Sequence, residues 1–314
     1  MIRTQGLYKQ FDDFVAVKGI DLHVKTGEIL ALLGPNGAGK TTTVRMLASI
    51  LKPTHGRAWI DGHDVVQEDV VVRRLVGVLT EMPGLYSRMR AWEYIHFFGE
   101  LQGMDKQTRT ERGEMLMTQF GMDEVWRLRL GEYSKGMRQK MALIRTMLHD
   151  PPVLLLDEPT SAMDPHSAKQ VRDAILTLRS NQRAIIICTH NLAEAEMLAD
   201  RIAIIRRGEI VARGTAGQLK RDLLGLPLME LRLAHSVDGV ANVVRDLIEV
   251  ESQGKDWLCY RTDDPHRINP ALLERLGRAG YQVVTLSESP QSLEDVYLRV
   301  VEKVSSAEEV RLVR

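Results

Sequence analysis

The stretch "GEILALLGPNGAGKTTT", Gly27 to Thr43, decides the fold. Its apolar run "ILALL" reads as a buried strand, and "TTVRMLASIL" beyond it carries helical spacing. Between them lies G-x-x-x-x-G-K-[ST], in which Gly34, Gly37 and Gly39 let backbone N–H groups wrap a phosphate chain at a helix N-terminus. Pro35, Asn36, Ala38 and Thr42 complete the cradle. Lys40 is expected to reach the β- and γ-phosphates, and the Thr41 hydroxyl to coordinate Mg2+. A glycine-rich turn alone would be weak evidence; a strand before it and a helix after it point to a nucleoside triphosphate.

Composition limits what surrounds this loop. With 314 residues and 44% hydrophobic content, the chain can fill two cores. Its 42 basic and 42 acidic residues cancel, so no global field draws it to nucleic acid or anionic lipid. Cys188 and Cys259 fit no metal spacing and suggest reduced thiols in a cytosolic compartment. The longest aliphatic runs, "VLLL" and "AIIIC", fall far short of the roughly 18 residues of a membrane span, and "MIRTQGLYKQ" lacks a signal-peptide core. The expectation is a protein neither exported nor self-anchored.

The segments "FVAVKGIDLHV" and "GRAWIDGHDV" predict hairpins early in the chain, and Met89 to Gly131 reads as a helical insertion. Strands and helices then alternate through "PVLLLDEP", a helix begun by Asp164-Pro165, "AIIICTH" and "RIAIIRRGEIVARG", as in a parallel sheet covered by helices. Within it, "VLLLDEP" ends a strand in two carboxylates at the edge where such sheets bind ligands. Asp157 is expected to hold Mg2+ and Glu158 to polarise an attacking water; an acidic pair near a helix start is the plainer alternative. A histidine at a strand end commonly does no chemistry, but His190 closes another strand of the same sheet and can read the γ-phosphate. After about Gly225 the expectation is a small α/β domain over 226–305, with helices over Val237–Val250 and Ala271–Ala279 and a Ser292/Asp295 capping box, then a charged tail over 306–314.

Taken in order, "GPNGAGKTTT", "YSKGMRQK", "VLLLDEPTSAMDP" and "CTH" resemble the ATP-binding subunits of ABC transporters over residues 1–225. The resemblance implies a P-loop NTPase domain with an antiparallel β subdomain and a helical subdomain over about 88–145. It also implies ATP as the nucleotide, Phe11 (or Tyr8) stacked on adenine, and Asp164 communicating across a dimer. The family signature L-S-G-G-Q has its counterpart in Tyr133, Ser134, Lys135, Gly136 and Met137, which would contact ATP held by another subunit. That role is physically sensible: a hydroxyl, a glycine and a helix N-terminus face a phosphate. A site completed in trans makes nucleotide occupancy drive association, in a homodimer or with a related cassette.

Three departures from the family pattern are informative. Glu81 stands where a glutamine commonly lines the metal and water, and would bind Mg2+ more strongly while repelling an uncomplexed phosphate. Lys135 replaces a glycine and Met137 a glutamine. The insertion is rich in methionine, either as core filler or around a groove at Glu81, Leu85, Tyr86 and Trp92 that receives a helix of an integral-membrane permease. "LTEMPGLYSRMRAWEYIHFFGEL" and "VVTLSESPQSLEDVYLRV" resemble subunits serving ABC-2-type permeases, mostly exporters. The resemblance thus implies an ATPase at the cytoplasmic face of a membrane with no nucleic-acid partner. The competing readings are a non-transport ABC ATPase acting on ribosomes or DNA, and a nucleotide-binding regulator without turnover; Glu158 disfavours the latter.

Overall fold

The computed structural model describes residues 1–82, 84–161, 163–179, 182–289 and 292–299. The chain divides into two compact units, Met1–Thr215 and Ala216–Arg314.

In the first unit, β1 (Ile2–Phe11), β2 (Phe14–Ile20), β3 (His23–Val24), β5 (His55–Ile60) and β6 (His63–Asp64) form an antiparallel sheet. The central sheet has the order β11-β10-β4-β9-β8-β7, built from β4 (Ile29–Leu33), β7 (Val76–Leu79), β8 (Val153–Asp157), β9 (Ala184–Thr189), β10 (Arg201–Arg206) and β11 (Glu209–Gly214). Its pairings are parallel except β10 with β11. Every residue of β4, β8 and β9 is buried, which explains their unbroken apolar runs: both faces are covered.

One core lies among α1 (Lys40–Leu47), α2 (Asp69–Leu75), the antiparallel sheet and one face of the central sheet. A second joins the other face to α3 (Ala91–Leu101), α4 (Lys106–Gln119), α5 (Lys135–Met147), α6 (Pro165–Thr177) and α7 (Leu192–Leu198). The methionines of the insertion mostly fill this second core. Met117, Met122, Met141 and Met147 are buried and Met89, Met104 and Met137 pack against them, whereas Met82 and Met115 are exposed.

The second unit begins with α8 (Ala216–Leu224), ten residues before the boundary expected from sequence; Leu219 of this helix is buried. The next six elements are β12 (Leu228–Leu233), α9 (Val240–Val244), β13 (Val250–Gln253), β14 (Trp257–Arg261), α10 (Pro265–Arg278) and β15 (Val283–Glu288). Their antiparallel order β13-β14-β12-β15 is the ferredoxin-like β-α-β-β-α-β arrangement. The expected helix over Val237–Val250 is corrected: only five residues are helical, and Val250 pairs with Tyr260 at the sheet edge. The expected helix over Ala271–Ala279 starts earlier, because the Asp264 side chain caps Arg267 N–H and Pro265 occupies the first helical position. Ser292 and Asp295 do exchange capping hydrogen bonds. The 306–314 tail lies outside the described residues.

Candidate active site

The loop between β4 and α1 is built on glycines for definite steric reasons. A Cβ at Gly34 would lie 2.2 Å from the Ile205 carbonyl oxygen, and Gly39, at φ +107°, would put one 2.6 Å from that of Ala16. The loop is thus pressed onto β10 and the antiparallel sheet as it runs into the first turn of α1. Gly34 N–H donates to Thr189 O at 3.2 Å and Ala38 N–H to Pro35 O at 3.2 Å, which fixes the loop on the end of β9. Pro35, Asn36 and Gly37 form its exposed crest.

Lys40 is nearly buried and folded back, donating to Gly34 O (2.6 Å) and Pro35 O (3.2 Å), with its Nζ 3.4 Å from Glu158 Oε1. The Thr41 hydroxyl is close enough to the Asp157 carboxylate to favour its ionised form. Burial holds the Asp157 pKa above the usual carboxylate value; Thr41 and Lys40 oppose this, while the charges of Glu158 and Glu81 reinforce it. Asp157 Oδ1 and Glu158 Oε1 are both buried without a hydrogen-bond donor. Two acceptor oxygens left open beside a lysine and a threonine hydroxyl form a set suited to a cation and phosphate oxygens. Among the described residues no group of three His, Cys, Asp or Glu side chains could hold a metal alone. Glu81 is solvent-exposed and bears on Asp157 through its charge.

Glu158 occupies the left-handed region at φ +50°, an uncommon conformation for a side-chain-bearing residue and one that costs about 1–3 kcal/mol. Its N–H bonds Cys188 O at 2.9 Å, and its Oε2 lies 2.8 Å from Nδ1 of His190, whose side chain is 52% exposed. The structure therefore brings Lys40, Thr41, Asp157, Glu158 and His190 to one end of the central sheet.

The remaining sequence candidates lie around this cluster. Ser134 caps α5, its Oγ accepting from Met137 N–H at 3.2 Å, and Lys135 opens that helix. A Cβ on Gly136 would fall 2.9 Å from Ser167 Oγ, so the glycine permits α5 to pack on the first turn of α6. Asp164 caps α6 through Ser167 N–H. Phe11 ends β1 at 43% exposure with Lys9 Nζ 5.0 Å from its ring, whereas Tyr8 leans on His55.

Two features escaped the sequence reading. Gln139, buried on α5, donates to Pro159 O at 2.9 Å, and Glu194, buried on α7, accepts from the hydroxyls of Thr160 and Thr189 at 2.6 Å each. The sequence marks "NLAEAEMLAD" only as a helix; the usable signal is Asn191 as its N-cap, three residues before Glu194 and just beyond the end of β9.

Comparison with known proteins agrees with this geometry. The family model described as "ABC transporter" matches residues 17–161. The daunorubicin/doxorubicin resistance ATP-binding protein DrrA of Streptomyces peucetius is 37% identical, over 95% of this chain and 91% of its own. A Nod factor export ATP-binding protein I from Rhizobium sp. (strain N33) is 32% identical, over 95% of this chain and 96% of its own. The solved structure of an ATP-binding subunit of an ABC transporter superposes with a TM-score of 0.66 at 25% identity, covering 72% of this chain and 94% of that one. A dimeric cassette in a post-hydrolysis state with ADP and Pi, at 22% identity and a TM-score of 0.62, shares the fold over 68% of this chain and 98% of its own. The phosphate cradle, the paired carboxylates at the strand end and relatives matched along nearly their whole length show that this chain belongs to the ATP-binding subunits of ABC transporters, and is an ATPase.

Proposed function

We propose that the chain dimerises on ATP and powers export through a separate integral-membrane permease of the ABC-2 type. The observation that carries the chemistry is the pair of donor-less oxygens, Asp157 Oδ1 and Glu158 Oε1, facing Lys40 and Thr41. Thr41 and Asp157 would hold Mg2+, with Glu81 at the rim; the ion supplies neutralisation of phosphate charge. Phe11 stacks on adenine, its exposed ring being free of the packing that engages Tyr8. Glu158 accepts a proton from the attacking water and His190 orients it. Ser134, Lys135, Gly136 and Met137 face the γ-phosphate of a nucleotide on a second subunit, and Asp164 at the adjoining helix start relays occupancy across the interface. Whether that subunit is a second copy or a related cassette, the contact has the same chemistry.

Export is supported by the relatives: DrrA confers drug resistance, the Nod factor protein serves export, and both matches include the second unit. The permease surface is read from an exposed cluster. Tyr86 is half exposed, stacked near-parallel to Phe98 at 6.2 Å and edge-on to Phe97, which is itself open to solvent, as is Leu101 one turn further along α3; Trp92, also exposed, sits against His96. Such a patch suits a short partner helix lying at the cytoplasmic face of a membrane. No helix of the described residues is long and apolar enough to cross a membrane. The test is affinity purification of the tagged chain from detergent-solubilised native membranes. A co-purifying multi-span protein supports the reading; recovery with ribosomes or DNA supports the non-transport alternative.

A further inference from the structure

We propose that Glu194 is a positioning residue for ATP hydrolysis, its buried carboxylate setting the distance between Glu158 and His190. The proposal rests on the ATPase reading above. The β8–β9 ladder ends at the Asp157–Cys188 pair, and the last backbone bond across it is Glu158 N–H to Cys188 O. Beyond that point no ladder pair joins the two segments to each other, and the backbone of Thr189 is held to β4 on its other side. Glu158 turns into the left-handed region and the backbone after it leaves the strand. The Glu158–His190 contact therefore needs another constraint.

Glu194 supplies one. It is 2% exposed, and its two oxygens divide between the two segments. Oε1 accepts from Thr160, two residues after Glu158, and Oε2 from Thr189, the residue before His190, at 2.6 Å each. An ionised carboxylate only accepts, so both threonine hydroxyls must point at it. Thr189 Oγ1 then keeps a lone pair for Asn191 N–H at 3.0 Å, which holds the backbone on the far side of His190. Asn191 Oδ1 in turn accepts from Glu194 N–H at 3.1 Å and pins the start of α7. Both ends of the bridge are anchored: Gln139 of α5 donates to Pro159 O, bracing the Glu158 turn from the opposite side. A merely packing residue at this position would be apolar, because burying a carboxylate is costly unless its hydrogen bonds organise something.

The test is steady-state ATPase of the full chain carrying Glu194→Gln. The amide keeps the shape but presents one donor and one acceptor, so one threonine hydroxyl must reverse from donating to accepting and the other loses its charge-assisted bond, which loosens the bridge. Expected is a fall in kcat of about tenfold with KM for MgATP changed less than about twofold, because the phosphate cradle is untouched. In a His190→Ala background the same substitution should lower kcat less than about twofold further, since the distance it sets has lost its meaning. Unchanged kcat in the single variant, or equal losses in both backgrounds, would overturn the proposal. Should Glu194→Gln not fold, Thr160→Val is measured instead: it removes one donor at constant shape, and Thr160→Ser restores it. Equal activity of those two variants would also overturn it.

Discussion

Replacing Lys40 by methionine in the nucleotide-free protein tests the electrostatics of the site. Lys40 Nζ and Glu158 Oε1 are 3.4 Å apart on side chains 5% and 8% exposed. At an effective dielectric constant near 20 their attraction is about 5 kcal/mol, much of it offset by the cost of taking both ions out of water. The two partners are not equivalent. Lys40 keeps two carbonyl acceptors without Glu158, whereas Glu158 Oε1 has no hydrogen-bond donor of its own. Lys40→Met should therefore cost about 3 kcal/mol, because it strands a buried carboxylate. Glu158→Gln alone should cost about 1 kcal/mol or less. Made on top of Lys40→Met, it should instead restore about 1–2 kcal/mol by removing the stranded charge. The assay is urea unfolding of the full chain without nucleotide at pH 8, with Trp257 replaced by phenylalanine so that Trp59, Trp92 and Trp126 report the first unit. The prediction is a change of sign between the two backgrounds. An identical effect of Glu158→Gln in both would refute the coupling.

Other outcomes follow from the same structure. The raised Asp157 pKa means the folded chain holds this proton to higher pH than the unfolded one, so its ionisation costs stability as pH climbs above about 4. Asp157→Asn should raise the unfolding temperature of the nucleotide-free protein at pH 7, with the gain vanishing toward pH 3.5; a gain independent of pH would contradict burial of the charge as its cause. Gly136→Ala should cost about 1–3 kcal/mol through overpacking against Ser167, whose Cβ stands 3.1 Å from the added methyl. Ser167→Gly should recover part of this in thermal denaturation. Glu81→Gln should flatten the Mg2+ dependence of ATP binding, and an unchanged titration would show that the exposed carboxylate plays no part in metal binding. Tyr86→Ala with Trp92→Ala should uncouple transport in reconstituted vesicles while sparing basal ATPase; loss of folding would return these rings to the core.

Much of the site could be read in the sequence because its steric demands are local. Gly34 and Gly39 are required by backbones within van der Waals reach, and "VLLLD" and "AIIICT" are apolar throughout because both faces of the sheet are covered. What escaped the reading depended on distant partners. Edge strand β13, "VESQ", has three exposed residues in four and carries no alternation, so the second unit's ferredoxin-like order stayed hidden. Glu194 looks like any acidic residue on a surface helix until Thr160, 34 residues earlier, is placed beside it. Gly136 was expected to serve a partner's phosphate; within its own chain it also lets α5 approach α6, and a sequence cannot separate the two demands.

The central claim, that "YSKGM" completes the site of another subunit, is tested most directly by sedimentation of the Glu158→Gln protein with saturating MgATP, with and without Ser134→Arg. A stable dimer is expected, and the added Ser134→Arg should abolish it while nucleotide affinity of the monomer stays unchanged. A persistent monomer at saturation, or a dimer indifferent to Ser134→Arg, would contradict it.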